Sequence, residues 1–386
     1  MFKDAPKLKN IFLAGFLLSL HLAFTAYINS SFLTSFVGEK LINLIYALGA
    51  IASILVLLVA PEILQKIGIR KFLLSLAFID ALSLLTFSSI NNSCIAAIIF
   101  ILYFVTNILI IFSIDELLKI FSKNSATGKV RGLYIAVMNL AWIIAQLASS
   151  KILGAFHFQT IYFIGFTIML LFFLTVLFGL KNIPNPNYDK MKIIKYVETF
   201  FKDSHLSRSY KINFLLQFFI SWMIIYTPIY LSVHLGFTWQ QIGIIFAIML
   251  IPFSILPFRL GEYADKIGER KMLMIGFFIA SIATMSIFFI HQHAIWIWAL
   301  ALFMTRVGGA TIETMSDVYF FKHIKPENEE YISVYRNTLP IAYIVGPLSA
   351  LIAFAFIPSF NFLYIILGAI MLSGVYIAST ISRSDI

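Results

Sequence analysis

Gly261–Lys271 reads Gly-Glu-Tyr-Ala-Asp-Lys-Ile-Gly-Glu-Arg-Lys, a polar, charged turn between two long apolar runs. Two hundred positions earlier, Pro61–Lys71 reads Pro-Glu-Ile-Leu-Gln-Lys-Ile-Gly-Ile-Arg-Lys. Lys66-Ile67-Gly68 and Arg70-Lys71 match Lys266-Ile267-Gly268 and Arg270-Lys271 in register. Pro61 and Gln65 stand where the second copy has Gly261 and Asp265. A repeat of this period inside an apolar chain predicts two similar halves.

The 386 residues are 60% hydrophobic and 12% charged, well below the roughly 25% charge of a soluble domain. The chain therefore reads as a multi-span membrane protein. Its net charge is +10, but no soluble domain gathers that charge, which argues against a nucleic-acid partner. Cys94 is the one cysteine, so there is neither a disulfide framework nor a cysteine metal site. The histidines are scattered, and the pair His291 and His293 is too small for a metal centre. No P-loop sequence is present. These features predict no metal, no cofactor and no enzymatic centre.

A bilayer span needs roughly 20 mostly apolar residues. Twelve windows qualify: 11–32, 41–62, 72–90, 94–114, 132–151, 157–180, 212–233, 239–260, 272–291, 294–320, 333–357 and 361–381. Their continuous apolarity argues against a β-barrel, whose strands alternate. The basic N-terminus (Lys3, Lys7, Lys9) precedes an apolar run longer than a signal-peptide core and without a small-x-small cleavage site, so it reads as a retained first span. With that terminus inside, the inner segments hold 25 of the 28 basic residues. The outer segments hold only Lys40 and Lys151, and Arg306 lies within a span. The positive-inside rule thus places both termini in the cytoplasm.

Lys181–Lys211 is the longest polar stretch and divides the chain into bundles 1–181 and 212–386, with 182–211 as a cytoplasmic linker. Met191, Ile194, Val197 and Phe201 recur there at helical spacing among lysines. That pattern reads either as a short basic helix on the inner leaflet or as a solvated connection.

The second copy of the repeat resembles the loop signature of the major facilitator superfamily, Gly-x-x-x-Asp-(Arg/Lys)-x-Gly-x-(Arg/Lys), filled here by Gly261, Asp265, Lys266, Gly268 and Arg270. In the first copy Lys66, Gly68 and Arg70 remain. The resemblance implies an all-α fold of twelve transmembrane helices in two pseudo-symmetric six-helix bundles. It also implies that these loops gate the cytoplasmic side. A carboxylate suits a helix N-terminus and cations suit C-termini, so Asp265 and Arg270 are the gating candidates, with simple positive-inside charge as the plainer reading. Asp115 and Asp317 near the inner ends of spans four and ten, with Arg131 and Arg336 opening spans five and eleven, are candidate inner-end ion pairs. Ala342-x-x-x-Gly346-Pro347 in span eleven resembles the Gly-Pro motif that superfamily antiporters carry in span five, but it stands in the other half, which argues against efflux.

Ionisable residues deep in a span are costly and functional. Asp80, Arg306 and Glu313 qualify. Arg306 and Glu313 are two turns apart on span ten, with Gly308 and Gly309 between them making room for a backbone or a ligand. The resemblance implies that spans one, four, seven and ten line a central cavity. That set offers His21, Thr25 and Asn29 on span one, Tyr103, Thr106 and Asn107 on span four, and Gln217, Tyr226 and Tyr230 on span seven. The resemblance places Asp80, on span three, more peripherally. Glu313 is the leading proton carrier, and His21 and Asp80 stand next.

The function expected from the whole is secondary active transport of a small solute by alternating access. Proton symport by a monomer in the inner membrane is the leading form, and proton-coupled export is the alternative. A non-transporting receptor or a membrane-embedded enzyme is the competing class.

Overall fold

The computed structural model describes residues 5–122, 127–181, 183, 193–324 and 330–381. Of some residues inside these helices, among them Arg131, Gly261, Asp265 and Lys266, only the backbone is described. All regular structure among the described residues is helical.

The chain divides into two compact units, Met1–Lys190 and Met191–Ile386. The first holds α1 (Ala5–Ile67), α2 (Ile69–Phe87), α3 (Ser93–Ser122), α4 (Thr127–Ala155) and α5 (Phe158–Gly179). α1 is two spans bent at Gly38 (φ 78°, ψ 167°). The second unit holds α6 (Ile193–Lys202), α7 (Ser204–Ile229) running into a π turn (Tyr230–His234), α8 (Trp239–Ile267), α9 (Glu269–Ile287), α10 (Ile295–His323), α11 (Glu330–Arg336), α12 (Thr338–Phe354) and α13 (Phe362–Ser379).

Ten described helices are long and apolar enough to cross a membrane, and Leu41–Leu57 is a shorter apolar stretch. α2 completes the twelve spans. Its 19 residues reach about 28 Å at ~1.5 Å per residue, close to the thickness of the hydrocarbon core. It carries three charged residues, Arg70, Lys71 and Asp80.

The stretch read as a polar turn is almost wholly helical. α8 runs to Ile267 and α9 begins at Glu269, so only Gly268 (φ 84°, ψ 145°) separates them. Gly68 (φ 84°, ψ 146°) does the same between α1 and α2. A positive φ lets glycine redirect the chain in one step. The backbone groups stay in use: the Gly68 N–H donates to the Leu64 carbonyl at 2.9 Å, and its own carbonyl accepts from the Phe72 N–H at 3.0 Å. The charges of the signature therefore ride on helix ends rather than in a loop.

In the first unit α1 packs on α3, α4 and α5, and α2 on α3 and α5. In the second, α10 is flanked by α8, α9 and α7, and α13 closes on α9. The glycine pair on α10 splits its duties. A Cβ on Gly308 would fall 2.4 Å from the Ala280 nitrogen and 2.6 Å from the Gly276 carbonyl oxygen, so this glycine admits the α9 backbone. A Cβ on Gly309 would meet nothing nearer than the Phe253 ring at 3.4 Å.

The connection expected over 182–211 contains a helix, α6, and α7 begins well before residue 212. Phe200 of α6 is buried against Leu206, Phe320, Tyr331, Val334 and Tyr335, with Val197 beside it. Phe201, assigned to the apolar face from spacing alone, is exposed. This helix therefore buries its apolar side on protein. Asp203 caps α7, accepting from the N–H groups of His205 (2.8 Å) and Leu206 (3.1 Å).

Candidate functional site

Three helices of the first unit deliver one buried polar cluster. α1 presents His21 and Thr25 one turn apart, α3 presents Tyr103, Thr106 and Asn107, and α2 presents Asp80. All six are buried. The Tyr103 hydroxyl lies 2.7 Å from Thr25 Oγ1 and 3.0 Å from His21 Nε2. Asp80 Oδ1 accepts from Thr106 Oγ1 at 2.9 Å and from Asn107 Nδ2 at 3.0 Å. Asp80 Oδ2 lies 3.4 Å from His21 Nε2 and has no hydrogen-bond donor. The expectation of a peripheral Asp80 is thus corrected: the face of α2 that packs on α3 carries it into the middle of the cluster.

Hydrogen-bond directions narrow the protonation states. Thr25 Oγ1 sits 3.1 Å from the Leu22 carbonyl oxygen and 3.2 Å from that of His21, to which a helical threonine donates. It then accepts from the Tyr103 O–H. His21 Nε2 faces both that hydroxyl oxygen, at 3.0 Å, and Asp80 Oδ2, at 3.4 Å. The chain can do acid–base exchange: one proton moves between a carboxylate oxygen and an imidazole nitrogen, inside a shell of hydroxyls that can reverse direction. Asn29, two turns beyond His21, accepts from the Tyr162 hydroxyl at 2.8 Å and also reaches the Tyr103 hydroxyl, extending the cluster.

Among the described residues, no hydrogen-bonded cluster of this kind joins Arg306 to Glu313. Arg306 is buried, and its Nε and Nη2 have no hydrogen-bond partner. Its guanidinium carbon lies 5.5 Å from the Phe219 ring centroid and 5.8 Å from that of Phe253. Glu313 is half-buried, and no ion pair joins it to Arg306 among the described residues. On α7, Gln217 Nε2 donates to Asn213 Oδ1 at 3.4 Å, and Asn213 Nδ2 donates to Thr338 Oγ1 at 2.8 Å. Tyr226 and Tyr230 are packed among rings rather than left open. Tyr226 meets Trp222, Phe354 and Phe360, and Tyr230 stacks on Phe360 with centroids 5.6 Å apart.

At the helix ends, Arg70 Nη2 donates to the Leu177 carbonyl at 2.7 Å, a cation on the last turn of α5. Lys66 is exposed, and Arg270 is half-buried. The side chains of Asp265, Lys266 and Arg131, with Gly261, lie outside the described set. Asp115 is exposed on α3. Arg336 Nη2 lies 3.6 Å from Asp317 Oδ2, and the Tyr335 hydroxyl donates to Asp317 Oδ1 at 2.9 Å. These inner-end charges of spans ten and eleven meet within the second unit.

Sequence reasoning missed Glu269, which opens α9 buried and is ion-paired to Lys322 at the end of α10. The signal was present: the first copy of the repeat has Ile69 in that register, also buried. Nothing in the sequence singled out Phe219 and Phe253 among 40 phenylalanines.

Residues 210–383 match the family model described as Major Facilitator Superfamily. No curated protein matches the chain by sequence. Among solved structures, the chain is similar to a D-xylose–proton symporter, with TM-score 0.77 and 14% identity over 98% of each chain. It is similar to the nucleoside transporter NupG, with TM-score 0.74 and 12% identity over 96% of this chain and 98% of that one. It is also similar to a bacterial homologue of the human lysosomal transporter Spinster, solved inward-facing and unoccupied. There the TM-score is 0.68, with 12% identity over 98% of this chain and 95% of that one. At such identities the likeness carries the fold.

Proposed function

We infer that this chain, a member of the major facilitator superfamily by the sequence of its second half and by the fold of the whole, is a secondary active transporter. It moves a small solute through the bilayer by alternating access, in symport with protons. It sits in the cytoplasmic membrane with both termini inside, as the distribution of basic residues supports.

The observation that carries this reading is the pair His21 and Asp80, 3.4 Å apart and buried within the spans. An acid at the centre of a span costs ~2.5–3.5 kcal/mol on insertion scales, so a group with no function there would be replaced by an apolar one. Asp80 Oδ2 has no donor, and a proton placed on it is held towards His21 Nε2. Loading that proton removes the carboxylate charge. It also frees the Tyr103 and Thr25 hydroxyls to reverse their hydrogen bonds across α1 and α3. Proton occupancy thereby biases how these helices pack, and such a bias couples one ligand to another. Glu313 was the first choice from sequence. It is less enclosed than Asp80.

The test is proton movement in proteoliposomes holding a pH-sensitive dye, challenged with a solute panel. Wild-type protein should bring protons in with the solute. Asp80→Asn should lose that proton entry yet keep solute counterflow, while Glu313→Gln should retain both. Loss in Glu313→Gln with retention in Asp80→Asn would return the coupling role to Glu313. Protons leaving as solute enters would favour the export reading.

A further inference from the structure

Nε and Nη2 of Arg306 are buried without a hydrogen-bond partner. In a guanidinium these two N–H groups project in parallel from one edge, the edge that a carboxylate takes with both oxygens at once. Phe219 of α7 and Phe253 of α8 present their rings to the guanidinium at 5.5 Å and 5.8 Å, which offsets part of the cost of burying the charge. Gly309 lies beside both rings, where a Cβ would make ordinary contact at 3.4 Å with Phe253 and 3.7 Å with Phe219. The rings screen the charge but carry no oxygen to accept from the Nε and Nη2 donors.

The neighbouring acid does not fill that role. Glu313 forms no ion pair with Arg306 among the described residues. The contrast within the same unit is clear, since the buried Glu269 has its cation in Lys322. A buried cation with a vacant two-donor edge is a costly arrangement for a helix that needs only an apolar side chain. It becomes favourable when an oxyanion arrives.

We propose that the Nε–Nη2 edge of Arg306 is the receptor for a carboxylate on the transported solute, which is thus a small organic acid. This rests on the transporter reading above and names its substrate class. The carboxylate is favoured over phosphate because two donors on one cation match its two oxygens and single charge, whereas a phosphate would bring further oxygens and more charge into the apolar surroundings than one guanidinium answers.

The experiment is binding rather than transport, so it is independent of coupling. Purified full-length protein in detergent is melted with benzoate, with benzamide as its uncharged isostere, and with inorganic phosphate. At ten times its Kd, benzoate should raise the unfolding midpoint of the wild type by about 2 °C, and benzamide and phosphate should not. Arg306→Lys keeps the charge but lacks the fork, and should weaken benzoate at least about ten-fold. Equal shifts with benzoate and benzamide, a shift with phosphate alone, or undiminished benzoate affinity in Arg306→Lys would each overturn the proposal. The comparison of ligands on wild-type protein stands even if the variant fails to fold. Benzoate binding without solute-linked proton flux would leave this site intact and remove the transporter reading. Flux without any carboxylate binding would do the reverse.

Discussion

Gly68 and Gly268, two hundred positions apart, share one backbone conformation, φ 84° with ψ 146° and φ 84° with ψ 145°. Each is the single residue between two helices. Gly38 (φ 78°) and Gly236 (φ 71°) likewise both fall between the first and second spans of their units. These positive-φ glycines mark the internal repeat more faithfully than the charges around them.

Alanine at Gly268 enters a region of backbone space that is essentially glycine-only, at a cost of about 1–3 kcal/mol. Gly268→Ala and Gly68→Ala should each lower the unfolding midpoint of the purified protein, and by similar amounts. A variant as stable as wild type would show that the joint tolerates another geometry.

Gly308 and Gly309 are adjacent but should respond differently. The Cβ of Gly308→Ala would meet α9 backbone at 2.4 Å, which cannot move aside as a side chain can, so a loss of about 1–3 kcal/mol is expected. Gly309→Ala meets ring atoms at 3.4 Å and should be nearly neutral for stability. Midpoints measured on the pair decide it.

Lys322→Ala would leave Glu269, with a side chain 3% exposed, without its cation. Breaking a fully buried pair costs about 3–5 kcal/mol. Because Lys322 is 48% exposed, solvent screening reduces the expected loss to about 1–3 kcal/mol. Glu269→Ile, the residue of the first copy, should recover most of that loss in the double variant. Additive losses in the double-mutant cycle would mean that the pair does not interact.

Tyr103→Phe removes the hydroxyl that joins Thr25 to His21, at 2.7 Å and 3.0 Å. Stability should fall by about 1 kcal/mol, and solute-linked proton entry should slow more than counterflow does. Equal slowing of both would assign Tyr103 to packing alone.

The twelve spans and the repeat were legible because an apolar run of bilayer length leaves few alternatives. The α1 stripe of His21, Thr25 and Asn29 followed from helical spacing alone. Asp80 was misplaced because no local pattern says which face of α2 meets α3. In the second unit the same register holds Ala280, pressed against Gly308. The repeat thus conserves the crossing of these helices while leaving its chemistry free to differ, so the fold could be read through it and the cluster could not. Arg306 was identified as a deep charge, but the rings that hold it come from two other helices and carry no mark of their own.

Consecutive helices joined at Gly268 share little surface; α8 leans chiefly on α10, and α9 is divided between α10 and α13. During synthesis α8 and α9 leave the ribosome before the helix that unites them. Until α10 arrives, the strip of α9 around Gly276 and Ala280 faces lipid, with nothing to fill its shallow groove. The order of assembly in this unit is therefore set by its fourth membrane helix rather than its first. Mutations along α10 that leave the finished protein intact can still lengthen that wait and lower the yield of inserted protein.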